Sequence, residues 1–262
     1  MSPRRRALLV VAALLVVVVG VVAAVVAALP EGSRGAGGPV AQDRPGPVLL
    51  VPGYGGDRTG LEVLAAALRT QGRDARVLAL DGDGTGDLDR QVEVLDRAVT
   101  VATDAGAPSV DVVGYSAGGV VAGLWAIRDD GPARARRIVS IGSPLAGTTV
   151  AGSAAAVAPE VCPQACRQLA PGSALLGELA GAGTVVPWLS VWTDRDQVVT
   201  PPTSARLDGA VNVELQQLCP GSTVGHGALP ADDAVIGLVV RALSTAPIDE
   251  APAACGTLRA AG

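Results

Sequence analysis

The chain has 262 residues, of which 49% are apolar and 17% charged, and a formal net charge of −5; that length suits a membrane segment plus one globular domain of ordinary size. Three of its 20 basic residues, Arg4, Arg5 and Arg6, precede the first apolar run, which leaves 17 basic against 25 acidic residues and a net charge of −8 for the rest. An acidic domain repels phosphate backbones, so no nucleic-acid partner is expected.

From Ala7 to Leu29 the chain is an unbroken run of Ala, Leu and Val with a single Gly20. About 23 helical residues span roughly 34 Å, slightly more than the hydrocarbon core of a bilayer. The triple arginine assigns residues 1–6 to the cytoplasm and the remainder to the outside. Residues 7–29 are therefore read as a single-pass transmembrane signal anchor in the cell membrane. The alternative is a cleaved signal peptide and a secreted protein. Ala24 and Ala28 offer small residues for cleavage, but such apolar regions usually run only about 7–15 residues. Residues 30–45 are rich in Gly and Pro and read as a flexible linker.

The globular domain is expected over 46–248, with a C-terminal tail at 249–262. Val48 to Val51 reads as a buried strand running into Pro52-Gly53-Tyr54-Gly55-Gly56. Leu61 to Leu68 has helical spacing, and Ala75 to Leu80 is the next strand. Leu88 to Val101 is helical, with Leu88, Val92, Leu95 and Val99 on one side. Val110 to Val113 is a strand and Gly119 to Ile127 the helix after it. Arg137 to Ile141, Val186 to Trp192 and Val211 to Leu215 are strands, and Ala234 to Leu243 is the closing helix. Short apolar strands alternating with helices predict an α/β fold: a mostly parallel central sheet with helices on both faces. The Ala/Gly/Pro-rich segment from Ser143 to Thr184 is expected to form irregular structure and short helices over the upper edge of the sheet. Within it, Ser143 to Thr148 is either a lining of an acyl pocket or a plain turn.

Cys162, Cys166, Cys219 and Cys255 all lie in the exported part, and an even number there points to two disulfides. Three pairings are possible. Cys162–Cys166 is favoured because Pro163 suits a tight loop, and Cys219–Cys255 because it pins the tail near His226. No second Cys pair or His cluster supports zinc. Asp81-Gly82-Asp83-Gly84-Thr85-Gly86 resembles the start of a calcium loop, but Val92 stands where the closing Glu belongs. No metal and no cofactor are expected.

The motif Gly114-Tyr115-Ser116-Ala117-Gly118 follows a strand and precedes a helix, the context of a nucleophile elbow. A serine is a weak nucleophile unless a base takes its proton. His226 is the only histidine in the chain, and it lies in the glycine-flanked loop Val224-Gly225-His226-Gly227 after the last strand. Asp194 and Asp196 both follow the strand ending at Trp192, and Asp196 is preferred as the acid that orients the imidazole. The order serine, acid, histidine is that of a hydrolase triad. Oxyanion donors are expected from the N–H groups of Ala117 and Tyr54, because Pro52 has none.

Taken together, these residues resemble the small bacterial lipases and esterases (class 2-type lipases) of the α/β-hydrolase superfamily, over about residues 46–243. Beyond the elbow, the resemblance includes Asp196-Gln197-Val198-Val199, the run from Arg206 through Leu207-Asp208-Gly209-Ala210-Val211-Asn212 to Val213, and Val224-Gly225-His226. It favours Asp196 over Asp194. Pro52-Gly53 stands where such lipases carry His-Gly. The resemblance implies the α/β-hydrolase fold and a monomeric serine hydrolase acting on small-molecule or lipid esters. An acyltransferase with the same triad and a catalytically silent, membrane-tethered binding domain are the competing readings.

Overall fold

Short runs of Val, Ile and Leu without polar alternation become strands buried on both faces. A computed structural model describes residues 38–248 and 253–262. Its strands β1 (Val48–Val51), β2 (Ala75–Val77), β3 (Val110–Tyr115), β4 (Ala135–Ile141), β5 (Trp188–Trp192) and β6 (Val211–Glu214) form one sheet. The order is β2-β1-β3-β4-β5-β6, and every neighbouring pair is parallel. The anchor expected at 7–29 lies outside the described residues, and among those described no helix is long and apolar enough to cross a membrane.

The main helices are α1 (Thr59–Thr70), α2 (Leu88–Asp104), α3 (Ala117–Arg128), α4 (Thr149–Val157), α5 (Gln164–Gln168), α6 (Ala174–Ala182), α7 (Asp233–Ala242) and α8 (Cys255–Ala261). Successive strand residues point to opposite faces. Leu49, Val51, Val110, Val112 and Ile138 pack with α2, α3 and α6. Val48, Leu50, Val113, Val139 and Ile141 pack with α1, α7 and α8. Helix α2 buries Leu88, Val92, Leu95 and Val99 along one side, and the Asp87 side chain caps it by accepting from the Asp89 N–H.

Several expected boundaries move. Strand β2 ends at Val77 rather than Leu80, after which Leu78 donates one last bond to the Leu50 carbonyl (2.9 Å). The chain is then drawn away by buried Gln91, which accepts from the Asp81 N–H (2.8 Å) and donates to the Asp81 carbonyl (3.1 Å). The calcium-like loop is thus fastened by an amide, and among the described residues no cluster of metal ligands exists. Strand β5 begins at Trp188 rather than Val186, β4 begins two residues early at Ala135, and Leu215 opens a helical turn instead of ending β6. The segment 143–184 does more than cover an edge. It carries α4, α5 and α6, and Leu175, Leu176 and Leu179 of α6 enter the core beside α3.

Both ends of the domain are held more firmly than expected. Residues 40–42 belong to the stretch expected to be a flexible linker, yet the Val40 N–H donates to the Pro132 carbonyl (3.0 Å) and the Gln42 side chain donates to the Arg136 carbonyl (3.1 Å). The tail forms α8 along α7. A β-carbon at Gly237 would collide with the Leu258 carbonyl oxygen, so this glycine permits the close approach. Disulfides join Cys162 to Cys166 and Cys219 to Cys255.

The charged part of the interior lies at the N-terminal ends of the strands. Asp111 is fully buried and accepts from Arg73 (2.5 Å) and Arg136 (2.6 Å). A register shift between Val110 and Asp111 makes Arg136 the extra residue of a bulge in β4. The same guanidinium groups cap the end of α7: Arg73 and Arg136 donate to the Leu243 carbonyl and Arg137 to the Ala242 carbonyl. Those carbonyls have no partner within the helix, and cations belong at this end of its dipole.

Removing the shared carboxylate leaves two arginines without their counter-charge. Asp111→Ala should cost about 3–5 kcal/mol of stability, read as a lower urea midpoint. Asp74→Ala, which breaks a pair with Arg76 whose side chains are 55% and 56% exposed, should cost under about 1 kcal/mol. Equal midpoints for the two variants would contradict the structural weight given to Asp111.

Candidate active site

The C-terminal ends of β1, β3, β4 and β5 converge on Ser116. The serine lies between β3 and α3 with φ 53° and ψ −125°, a backbone state that costs a side-chain-bearing residue energy. The residues two places before and after it are glycines because nothing larger fits. A β-carbon at Gly118 would collide with the Val51 carbonyl oxygen, and one at Gly114 with the Gly118 carbonyl. Strand β3, the turn and α3 therefore nest directly against β1.

His226 bridges the site. Its Nδ1 lies 2.7 Å from Asp196 Oδ2 and its Nε2 3.1 Å from Ser116 Oγ. An ionised carboxylate can only accept, so Nδ1–H donates to Asp196 and Nε2 is left to accept from the serine hydroxyl. The Asp196 side chain is buried, and its other oxygen accepts from the N–H groups of Val198 (2.9 Å) and Val199 (2.7 Å). Asp194 is turned elsewhere: its half-exposed carboxylate meets Arg195 at 3.3 Å. The three expected residues are thus brought together, and the rival acid is not among them.

The expected oxyanion donors stand beside the serine. Ala117 is the first residue of α3, where helical N–H groups have no partner in the helix. Tyr54 follows Gly53 in the β1 loop. A β-carbon on Gly53 would lie 2.8 Å from Ser116 Cβ, so Pro52-Gly53 brings bare backbone up to the nucleophile. Among the described residues, neither the Tyr54 nor the Ala117 N–H has an acceptor. An open cleft of about 460 Å³ flanks the imidazole, lined in part by Arg195, Gln197, Val198 and Thr223. Ser143 to Thr148 fastens the acid loop: Thr148 Oγ1 donates to the Val198 carbonyl (2.7 Å) and accepts from the Thr200 N–H (3.0 Å).

Three residues of the site escaped sequence reasoning. Tyr115 Oη donates to the His226 carbonyl (3.2 Å), and its ring lies 5.2 Å from the imidazole, tilted by 33°. Fully buried Thr193 donates to the Val224 carbonyl (2.6 Å). Gly142 has φ 55°, and a β-carbon there would lie 2.8 Å from Leu229 Cδ1, 3.3 Å from His226 Nδ1 and 3.5 Å from Asp196 Oδ2. Only Gly142 left a signal, a glycine directly after a buried strand, as Gly53 follows β1.

Burial, and then the Asp196 charge, push the Tyr115 phenol up to about 12. The folded state therefore holds this proton more tightly than the unfolded chain, whose phenols ionise near 10. The associated stability is intact below about pH 10 and is lost as pH rises towards 12. Little else titrates there, because the sequence has no Lys and the described residues have no free thiol. Stability measured from pH 9 to 12 should fall more steeply in the wild type than in Tyr115→Phe. Equal slopes would contradict a buried, neutral phenol.

No protein-family model and no curated protein matches the chain. Solved structures do match. Lipase B of Aspergillus fumigatus aligns at 20% identity and TM-score 0.67 over 87% of this chain. The alignment spans 58% of that lipase, so this chain corresponds to somewhat over half its length. A structure from the metagenome-derived lipolytic enzymes LipS and LipT aligns at 19% identity and TM-score 0.58, over 79% of this chain and 95% of the other. A deformylase from Pseudomonas putida S16 aligns at 15% identity and TM-score 0.52, over 78% and 93%. Identities this low speak for the fold alone. Six parallel strands, the Ser116 turn between β3 and α3, and these likenesses agree: the chain has the α/β-hydrolase fold.

Proposed function

We propose that this chain is an exported serine hydrolase that cleaves carboxylic esters through an acyl-enzyme on Ser116. The observation that carries the proposal is the single imidazole spanning Ser116 Oγ at 3.1 Å and Asp196 Oδ2 at 2.7 Å. Ser116 Oγ attacks the ester carbonyl carbon as His226 Nε2 takes its proton. Asp196 holds the tautomer and stabilises the imidazolium. The Tyr54 and Ala117 N–H groups stabilise the developing oxyanion. Collapse of the tetrahedral intermediate breaks the bond to the leaving alcohol, which receives the proton from His226. A water then repeats the sequence, releasing the acid and restoring Ser116. The fold is shared with proteins named lipase, lipolytic enzyme and deformylase, which favours an ester and keeps an amide-type substrate as a comparison for assay. Two disulfides favour an oxidising compartment and hence export. Residues 7–29 would serve as the anchor.

A chain-length series of nitrophenyl esters, run with and without an acceptor alcohol, separates hydrolysis from acyl transfer and reads the acyl preference. In that assay Ser116→Ala should lower turnover by about 10⁴-fold or more with little change in folding. Near wild-type turnover in purified Ser116→Ala would overturn the proposal. Asp196→Asn should impair turnover severely and Asp194→Asn only mildly; the reverse order would move the acid. Deleting residues 1–37 should give a soluble, active hydrolase when the protein is made in an oxidising compartment. A folded but inactive product would show that the N-terminal segment is part of the enzyme.

A further inference from the structure

The geometry points to Tyr115 as a positioning residue: by holding the main chain of His226, it sets the imidazole at its distance from Ser116. This inference rests on the proposed reading of Ser116 and His226 as nucleophile and base. His226 lies between Gly225 and Gly227, whose backbones have more freedom than most, and it opens a short 3-10 turn, His226–Ala231. The hydrogen bonds of its side chain go to Asp196 and Ser116. Its backbone is held from outside that turn by Tyr115, whose Oη donates to the His226 carbonyl at 3.2 Å. The Tyr115 ring lies against the imidazole with centroids 5.2 Å apart.

Tyr115 is the last residue of β3 and is covalently joined to Ser116. One rigid strand end thus carries the nucleophile and grips the base. The gap between Oγ and Nε2 is set by a path of two adjacent residues and one hydrogen bond. Holding reacting groups in place before reaction removes an entropy cost from the barrier, and small misplacements are expensive in rate. The phenol stays neutral up to about 12 because it is buried, so it remains a donor throughout the range in which a His base works.

The test compares the wild type with Tyr115→Phe, which keeps the ring and removes the donor. Tyr115→Met serves as a second carrier of the same deletion should the first fail to fold. Three readouts are taken: the kcat and KM of nitrophenyl ester hydrolysis, the thermal midpoint, and the NMR signals of the imidazole. The chain has one histidine, so those signals need no assignment by mutation. The expected result is a kcat about 10-fold lower with KM within twofold. The Nδ1–H proton should also exchange faster with solvent. Unchanged kcat and an unchanged imidazole signal, whatever happens to the thermal midpoint, would overturn the inference. Covalent labelling of the wild type by a fluorophosphonate separates the two levels of failure. No labelling at Ser116 defeats the proposed function itself, whereas labelling with unaltered kcat in the Tyr115 variants defeats only the positioning role.

Discussion

The backbone at Ser116 is the constraint around which the rest is arranged. A non-glycine residue at φ 53° and ψ −125° is held there at a cost on the order of 1–3 kcal/mol. It persists because β3 on one side and α3 on the other are both locked into the core. Val110, Val112 and Val113 are fully buried in β3, and Val120, Leu124 and Trp125 in α3. Closing so sharp a turn also brings α3 into contact with β1 and β4. Gly118 is the answer on the β1 side and Gly119 on the β4 side, where a β-carbon would collide with Ser143 Oγ. The strain, the glycines and the buried parallel sheet are therefore one feature, and its product is a hydroxyl projected at the edge of the sheet.

The two buried aspartates are compensated in different ways. Asp111 and Asp196 are both almost fully covered. Asp111 is compensated by two guanidinium groups, which also bind the last carbonyls of α7. The cluster thereby joins β3, β4 and the end of α7. Asp196 is compensated by two backbone N–H groups and by an imidazole. That set fills both carboxylate oxygens with donors, one oxygen taking the backbone and the other the imidazole. The charged cluster sits at the N-terminal ends of the strands, and Ser116, Asp196 and His226 meet at their C-terminal ends.

The loops at the site are fixed chiefly by side chains that bond to their carbonyls. Tyr115 holds His226, Thr193 holds Val224, and Thr148 holds Val198 beside the acid. Tyr115 comes from β3, Thr193 directly follows β5 and Thr148 caps α4, so each loop takes its position from a regular element.

Much of this was written in the chain as local pattern. Apolar runs and helical spacing are properties of neighbouring residues. They were enough for an α/β fold with a parallel sheet, for the strand–Ser116–helix turn, and for a lone histidine in a glycine loop as the partner of that serine. What failed was decided at a distance. Nothing local says that Gln91 ends β2 by binding Asp81 ten residues away, or that Leu175, Leu176 and Leu179 enter the core beside α3. Nor does it show that Val40 and Gln42, in a Gly/Pro-rich stretch, find partners at Pro132 and Arg136. Tyr115 is the sharpest case. In sequence it is the spacer of a motif, and only the fold carries its hydroxyl to the carbonyl of a residue 111 positions on. Sequence period reports which face of an element is buried, because burial repeats with the element's own geometry. A single hydrogen bond between distant residues has no period, and so it exists only once the sheet has brought its two ends together.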